Sequence, residues 1–195
     1  MRYSKEHKAQ AKAAILQAAS STLKEKGFHA VGVDGLAASA QVTSGALYSN
    51  FVNKEAVLEE LVSAQLGIEF AELDGIVDAL ERQNRLVEIL RMYLSDEHRE
   101  GVAQGCVMPA LSADVSRAGA PVRKAYERKM AELVARLTAA LPGAREEREQ
   151  QAWTVIAAIV GAITVARALP DGDQARAVLD ATLKSVIGAI ADAQH

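Results

Sequence analysis

Apolar residues recur every three or four positions along most of the chain, a pattern that predicts helices almost throughout. The first helix is predicted over residues 5–26, with Ile15, Ala19 and Leu23 spaced four residues apart on one face. Gly27 is expected to end this helix, and Phe28 to pack back against the same face. The chain therefore begins with one amphipathic helix and a turn.

Two short helices are predicted next, over residues 33–40 and 43–50, with a break at residues 40–42. The residues expected to face inward are Leu36, Ala37, Ala40, Leu47 and Phe51. The second helix carries a glycine and small polar groups on its free face. Two such helices joined by a tight turn are what a helix-turn-helix needs to enter the major groove of DNA.

Helical patterns continue to the end of the chain. Asn53 is the predicted N-cap of a fourth helix. The apolar stripe of that helix is Val57, Leu58, Leu61, Val62 and Leu66. Further helices are predicted near residues 84–99, 107–117, 121–141, 145–168 and 172–193. The breaks between the last three lie at residues 141–143 and 169–172, and Pro121 suits the first turn of its helix.

The last two predicted helices allow two interpretations. The helix from Trp153 to Leu169 is apolar nearly all round, and its small residues Ala157 and Gly161 would let another helix approach closely. The final helix carries one apolar stripe, formed by Val178, Leu179, Leu183, Val186, Ile187 and Ile190. The pair fits either the centre of a monomer or half of a four-helix dimer interface.

Composition supports a helical fold and divides the chain by charge. Half of the 195 residues are apolar but only 4% are aromatic, which favours packed helices over a sheet. Residues 1–55 carry seven Lys or Arg against four Asp or Glu, whereas residues 56–195 carry 15 against 21. A basic head on an acidic body fits a DNA-reading domain joined to a part that does not touch DNA.

The remaining composition predicts a soluble cytoplasmic protein. A single cysteine excludes an intramolecular disulfide framework and fits a reducing compartment. The amino-terminal residues contain no apolar stretch of the kind that a secretory signal needs. The longest apolar run, residues 154–166, is shorter than the roughly 20 residues that span a bilayer.

The head resembles the amino-terminal signature of the tetracycline-repressor (TetR) family of one-component regulators. The matching positions are Gly27-Phe28, Leu36-Ala37, Val42, Gly45, Ala46-Leu47-Tyr48, Phe51 and Lys54-Glu55. The resemblance covers about residues 8–62. In the body, Gly105-Cys106 with residues 111–114 is similar to a segment of some subgroups, among them regulators that sense reactive electrophiles.

The resemblance implies an all-α homodimer with a helix-turn-helix head, residues 1–55, and a body for ligand binding and dimerisation, residues 56–195. Each subunit would place its third helix in the major groove of a palindromic double-stranded DNA operator, the two helices about 34–36 Å apart. A small-molecule effector in the body would weaken that binding, and the last two helices would form the dimer. A repressor rather than an activator is implied in the same way.

Seven residues of the head are predicted to contact DNA, and they are Thr43, Ser44, Gly45, Tyr48, Ser49, Asn50 and Lys54. Gly45 has no side chain to hold the backbone away from the duplex. Tyr48 and Lys54 are expected to hydrogen-bond to phosphates, and such contacts position the protein on the DNA. Ser44 and Ser49 are the candidates for base edges, and Asn50 could serve either role.

The head also departs from the usual pattern of its relatives. Gly32 stands where a Ser or Thr cap is common at the start of the second helix, and basic residues are missing near Asp34 and Ser44. Fewer cations predict weaker and less salt-sensitive DNA binding. Arg2, Lys5, Lys8 and Lys12 either compensate as a basic arm or form an ordinary solvated helix end.

Candidate ligand contacts in the body are bulky groups expected on inward helix faces. They are Met92, Tyr93, Cys106, Met108, Tyr126, Met130 and Trp153. Each also fits ordinary core packing, and Cys106 fits a small buried hydrophobe better than a reactive thiol. Arg167, inside an apolar helix, is expected to need a partner: an anionic ligand, an acidic side chain or the other subunit.

Two other classes of function are weighed against a DNA-binding regulator. An enzyme is disfavoured because no metal-binding, phosphate-binding or nucleophile motif is found, and no cofactor or metal is predicted. The acidic and basic residues at 96–100 are interpreted as a hydrated run of mixed charge. A helical protein-interaction module that has lost DNA binding is the main alternative, because the head has few cations.

Overall fold

The structure is a computed structural model that describes residues 5–192, with side chains for residues 9–191. Within these residues every regular element is a helix, so the predicted all-α class is confirmed. The α-helices are α1 Lys5–Lys26, α2 Val33–Ser39, α3 Ser44–Asn50, α4 Lys54–Gln65, α5 Ala79–Tyr93, α6 Asp96–Glu100, α7 Val107–Arg117, α8 Ala120–Ala140, α9 Arg145–Ala168 and α10 Asp173–Asp192. A 3-10 helix, Ile68–Leu73, follows α4.

The chain divides into two compact units, and the predicted boundary after residue 55 falls inside α4. The first unit contains residues 1–66 and 102–127, so it includes α4, α7 and the start of α8. The second contains residues 67–101 and 128–195. The fold thus groups α4 and α7 with the three amino-terminal helices.

The first unit has the core that the apolar spacing predicts. Ile15, Ala19 and Leu23 of α1 are buried, and Phe28 packs back at 5% exposure. Gly27 ends α1 with φ +79, a left-handed conformation that glycine adopts without a Cβ clash. All five residues of the predicted α4 stripe are also buried.

The second unit is built around α9 and α10, which form its most extensive helix pair. Helix α9 buries Ile156, Ile159 and Ile163, and α10 buries Leu179 and Val186. The predicted breaks before and after α9 are confirmed, with positive φ at residues 143 and 172. By length and composition α9 could cross a membrane, but a core helix of a soluble protein passes the same test, so this property alone is a weak indication.

The prediction of a single helix near residues 84–99 is wrong, because the structure has two helices there, α5 and α6. Helix α5 starts earlier, where the Asp78 carboxylate accepts a hydrogen bond from the Glu81 amide at 2.8 Å. It ends at Tyr93, and α6 begins after Ser95, whose hydroxyl oxygen accepts from the His98 amide at 3.2 Å. A serine followed by acidic residues caps a new helix amino end more readily than it continues an old one.

The charged residues 96–100, which form α6, were predicted to be a hydrated run, but one of them, Arg99, is buried and paired. Arg99 is buried at 7% exposure and pairs with Asp96, Glu100 and Asp171. Arg167 of α9 donates to the carbonyl oxygens of His98 and Arg99 at 2.8 and 2.9 Å. Arg167 therefore contacts carbonyl groups at the end of α6, a kind of partner that was not among those predicted for it.

We predict that Asn53→Ala destabilises the protein by about 1 kcal/mol, because the Asn53 side chain caps α4. Its carboxamide oxygen accepts from the Ala56 amide at 2.8 Å. Urea unfolding followed by circular dichroism measures the change. Asn84→Ala, on the exposed side of α5, is the matched control and should not destabilise. Equal midpoints for wild type and Asn53→Ala would contradict the prediction.

Candidate functional site

Helices α2 and α3 form the predicted helix-turn-helix, and the turn between them is tight. Gln41 has φ +54, which reverses the chain within the predicted break. Gly32 precedes α2 without a side-chain cap, as its lack of a side chain requires. Thr43 caps α3, since its hydroxyl oxygen accepts from the Ala46 amide at 3.1 Å. Local sequence thus fixes both ends of the turn.

One face of α3 is buried and the opposite face is open. Leu47 and Phe51 are exposed by only 0% and 2%, as their spacing predicts. Tyr48 is 52% exposed, and Gly45 and Ser49 lie on the same free side. A Cβ added at Gly45 would meet only the Thr43 hydroxyl at 3.8 Å. No side chain projects from the free face at Gly45, so another molecule can approach the α3 backbone closely there.

Local hydrogen bonds hold the polar side chains of α3. The Ser44 hydroxyl donates to the Asp34 carboxylate at 2.6 Å. The Ser49 hydroxyl donates to the Gly45 carbonyl oxygen at 2.9 Å, and the Asn50 amide donates to the Ala46 carbonyl oxygen at 2.9 Å. The serine oxygens keep lone pairs that can accept from a base edge. The two serines are thus set as acceptors unless these bonds break, whereas Asn50 keeps a second N–H that can donate.

Lys54 lies over an aromatic ring. Its ammonium nitrogen is 4.0 Å from the centroid of the Phe28 ring, a cation–π contact. Burial lowers the pKa of the Lys54 ammonium, and the negative charge of Asp114 partly opposes this shift. The side chain is half-buried, so its ammonium would have to leave the Phe28 ring to contact another group.

Two other described lysines of the head, Lys12 and Lys24, are also engaged. Lys12 pairs with Glu60 and lies 5.2 Å from the Phe51 ring, so it is not a free arm residue. Lys24 is buried and donates to the Gly105 carbonyl oxygen at 2.9 Å. Arg2, and the side chains of Lys5 and Lys8, lie outside the described residues. Lys26 stays exposed at the end of α1.

Asp114 is a functional candidate that sequence reasoning missed. It is 8% exposed on α7, with its carboxylate 3.8 Å from the His29 ring and 3.7 Å from Arg117. His29 follows Phe28 in the turn before α2, so Asp114 places a negative charge beside the start of the helix-turn-helix. The sequence signal that could have identified Asp114 is its position as an acidic residue on the apolar face of α7.

The seven candidate ligand contacts are not brought into one cavity. Cys106, Met108 and Tyr126 belong to the first unit, and the other four belong to the second. The inward orientation predicted for Met92 and Trp153 is wrong, because these side chains are 55% and 47% exposed. Met108 and Met130 are buried at 0% and 7% exposure, which fits packing.

Cys106 is the N-cap of α7 and is completely buried. Its sulfur accepts from the Met108 amide at 3.4 Å. A reactive thiol needs access to its reagent, so this burial favours a packing role. Tyr126 is half-buried, with its hydroxyl 2.7 Å from that of Ser112, and burial raises its pKa.

Two cavities of the second unit include predicted ligand contacts. Met92 and Tyr93 line one of about 280 Å³, together with Glu69, Glu72 and His98. Trp153 lines a larger one of about 610 Å³ between α8 and α9. Within the described residues no cluster of side chains could hold a metal ion.

Two family models match the sequence. Residues 15–61 match the bacterial regulatory proteins of the tetR family, and residues 83–182 match the tetracyclin repressor-like C-terminal domain. No protein of curated function matches. The two models together cover both the helix-turn-helix and most of the body.

Solved structures of the same fold cover nearly the whole chain. E. coli NemR in its reduced form is 21% identical, with TM-score 0.72 over 92% of this chain and 96% of that one. A TetR-family regulator from Agrobacterium tumefaciens is 20% identical, with TM-score 0.71 over 94% and 98%. One from Cytophaga hutchinsonii is 20% identical, with TM-score 0.73 over 95% of each chain. The chain therefore belongs to the TetR family of bacterial regulatory proteins.

Proposed function

We propose that this protein is a cytoplasmic, ligand-responsive repressor of transcription. TetR-family proteins are DNA-binding transcription regulators rather than enzymes, and they typically act as dimers that respond to small molecules. In this proposal a homodimer binds a palindromic operator, and an effector releases it. The open face of α3 carries the proposal, because it exposes Tyr48 beside an unobstructed Gly45.

The α3 face supports DNA docking through shape rather than charge. Gly45 and the exposed amino end of α3 permit close approach of a phosphate to backbone amides. Tyr48 contacts a phosphate, and Lys54 contacts another at the start of α4. Thr43, Ser44, Ser49 and Asn50 contribute contacts from the same helix, with the serine oxygens accepting from base edges.

The effector contacts belong to the second unit in this proposal. Met92 and Tyr93 line one cavity there, and Trp153 lines another. A ligand that binds one dimer arrangement better than the other shifts the spacing of the two α3 helices and so weakens operator binding. Met130 belongs to the same unit, and its 7% exposure fits a packing role.

The dimer is formed by α9 and α10. Within one chain α9 leaves a face of small and apolar residues uncovered. The residues of this face are Thr154, Ala157, Gly161, Thr164, Val165 and Ala168. Their three- and four-residue spacing makes one continuous stripe, which a second copy would bury in a four-helix arrangement.

We predict that Tyr48→Phe and Tyr48→Ala each weaken operator binding by about tenfold or more, since both remove a hydrogen bond to a charged phosphate. Fluorescence anisotropy with a labelled DNA fragment from upstream of the gene measures the affinity. Tyr126→Phe is the matched control and should bind like wild type, because this hydroxyl bonds to Ser112. Wild-type affinity in both Tyr48 variants, with folding verified by circular dichroism, would contradict DNA docking by this face of α3.

We predict that Lys54→Gln makes DNA binding less sensitive to salt. The slope of log K against log salt should fall in magnitude by about 0.9 for each phosphate that the variant no longer neutralises. Lys26→Gln, an exposed lysine at the end of α1, is the control and should keep the wild-type slope. An unchanged slope for Lys54→Gln would show that this ammonium stays on Phe28 rather than on a phosphate.

The same titrations separate a regulator from an interaction module. The ion pair of Lys12 with Glu60 favours the module, because it offsets one of the few positive charges of the head. A regulator should prefer the upstream fragment over random DNA of equal length at every salt concentration. Equal binding to both would support the module.

We predict that Gly161→Arg converts the dimer to a monomer, because a long charged side chain would enter the close-packed face of α9. No atom lies within 4 Å of a Cβ built at Gly161, so the single chain accommodates the change. Light scattering coupled to gel filtration measures the mass. Gly75→Arg, also in open space, is the matched control and should stay dimeric. A wild-type protein that is only monomeric would contradict the dimer itself.

A further inference from the structure

A groove in the second unit has a composition that points to a ligand. It lies between α8 and the first half of α9, and we call it the arginine groove. Its lining residues are Arg82, Ala131, Val134, Ala135, Thr138, Ala139, Arg145, Arg148, Glu149 and Trp153. Its volume of about 610 Å³ falls in the range of pockets that hold small organic molecules.

The floor of the groove is flat. Ala131, Ala135 and Ala139 are spaced four residues apart, so their methyl groups form one strip along α8. Each of these alanines is exposed, and no bulky side chain fills the space above the strip. Trp153 stands at the wall with its ring 47% exposed. A flat apolar body fits between an alanine strip and an indole ring.

The charge of the groove is positive. Arg82, Arg145 and Arg148 line it, against one acidic residue, Glu149. The Arg82 guanidinium donates to the carbonyl oxygens of Ile76 and Ala139, at 2.8 Å from Nε and 3.2 Å from Nη1 respectively, and neutral carbonyls do not cancel its charge. Among the described residues, no carboxylate lies at ion-pair distance from Arg145 or Arg148.

Two buried polar atoms of the groove lack a hydrogen-bond partner within the described part of the chain. They are the Thr138 hydroxyl oxygen and the Arg148 Nε nitrogen. Buried polar atoms are normally satisfied, and leaving one unpaired costs stability. The hydroxyl and the Nε–H are both donors, and a carboxylate offers two strong acceptor oxygens.

We propose that the arginine groove binds an aromatic carboxylate, with its carboxylate at Arg148 and Thr138 and its ring between Trp153 and the alanine strip. This deepens the proposed function by naming the chemical class of the effector, and to that extent it rests on that function. Binding itself is measurable without DNA.

Trp153 gives a direct readout, since it is the only tryptophan of the chain. Cinnamate and its neutral isostere cinnamamide are titrated into the full-length protein, with tryptophan emission and isothermal calorimetry as independent signals. Cinnamate should bind saturably with one site per chain, and cinnamamide should bind at least about tenfold more weakly.

Three variants locate the site. Arg148→Gln should weaken cinnamate binding by about tenfold, because it removes a charged donor. Ala135→Leu should abolish binding by filling the floor, and it places the new side chain at an exposed position that does not threaten folding. Arg91→Gln, an exposed arginine of α5 outside the groove, should bind like wild type.

Absence of cinnamate binding, or equal affinity in wild type, Arg148→Gln and Ala135→Leu with folding verified by circular dichroism, overturns the proposal. That result would leave DNA binding by the α3 face intact. Conversely, loss of selective DNA binding would overturn the repressor function while cinnamate binding at the groove persisted.

Discussion

The burial of Leu47 and Phe51 fixes how α3 is rotated, and the interpretation of the head depends on that rotation. Both side chains are almost completely inaccessible, so turning the helix would expose them at a cost of about 1.5–3 kcal/mol each. With these two residues inward, Gly45, Tyr48 and Ser49 must face outward. A helix of only seven residues gains a defined outward face from its core contacts rather than from its own stability.

Charge plays a smaller part in the head than its composition suggests. The excess of basic residues in positions 1–55 is real, but Lys12, Lys24 and Lys54 each have a partner within the protein. Hydrogen bonding and the shape of the α3 face must then account for more of the proposed DNA binding. The second unit lies in the acidic part of the chain, yet it contains a positively charged groove, because Arg145 and Arg148 line it with Glu149 as the one acidic lining residue.

Periodicity and capping residues predicted much of the fold. The four-residue spacing in α1 and α4, and the caps at Asn53 and Gly27, are local features that the chain carries in order. The break between α5 and α6 was missed because the stop depends on Ser95 acting as a cap, which competes closely with helix continuation. Boundaries of this kind depend on energy differences smaller than those of core burial.

Tertiary partners could not be predicted from spacing. The Phe28 ring under Lys54, the carbonyl groups that receive Arg167, and the bonds that hold Ser44 and Ser49 all depend on the folded chain. The outward position of Trp153 was missed for the same reason, since spacing does not show which face of a nearly all-apolar helix stays uncovered. Sequence thus located the candidate DNA face, whereas the partners of its side chains are set by the folded structure.

Hydrogen–deuterium exchange with and without a DNA fragment from upstream of the gene measures whether α3 lies on DNA. We predict that this DNA slows exchange of the amides in residues 43–50, with no comparable effect from random DNA of equal length. Unchanged exchange in α3, together with protection elsewhere on the protein, would contradict the assignment of this face to DNA.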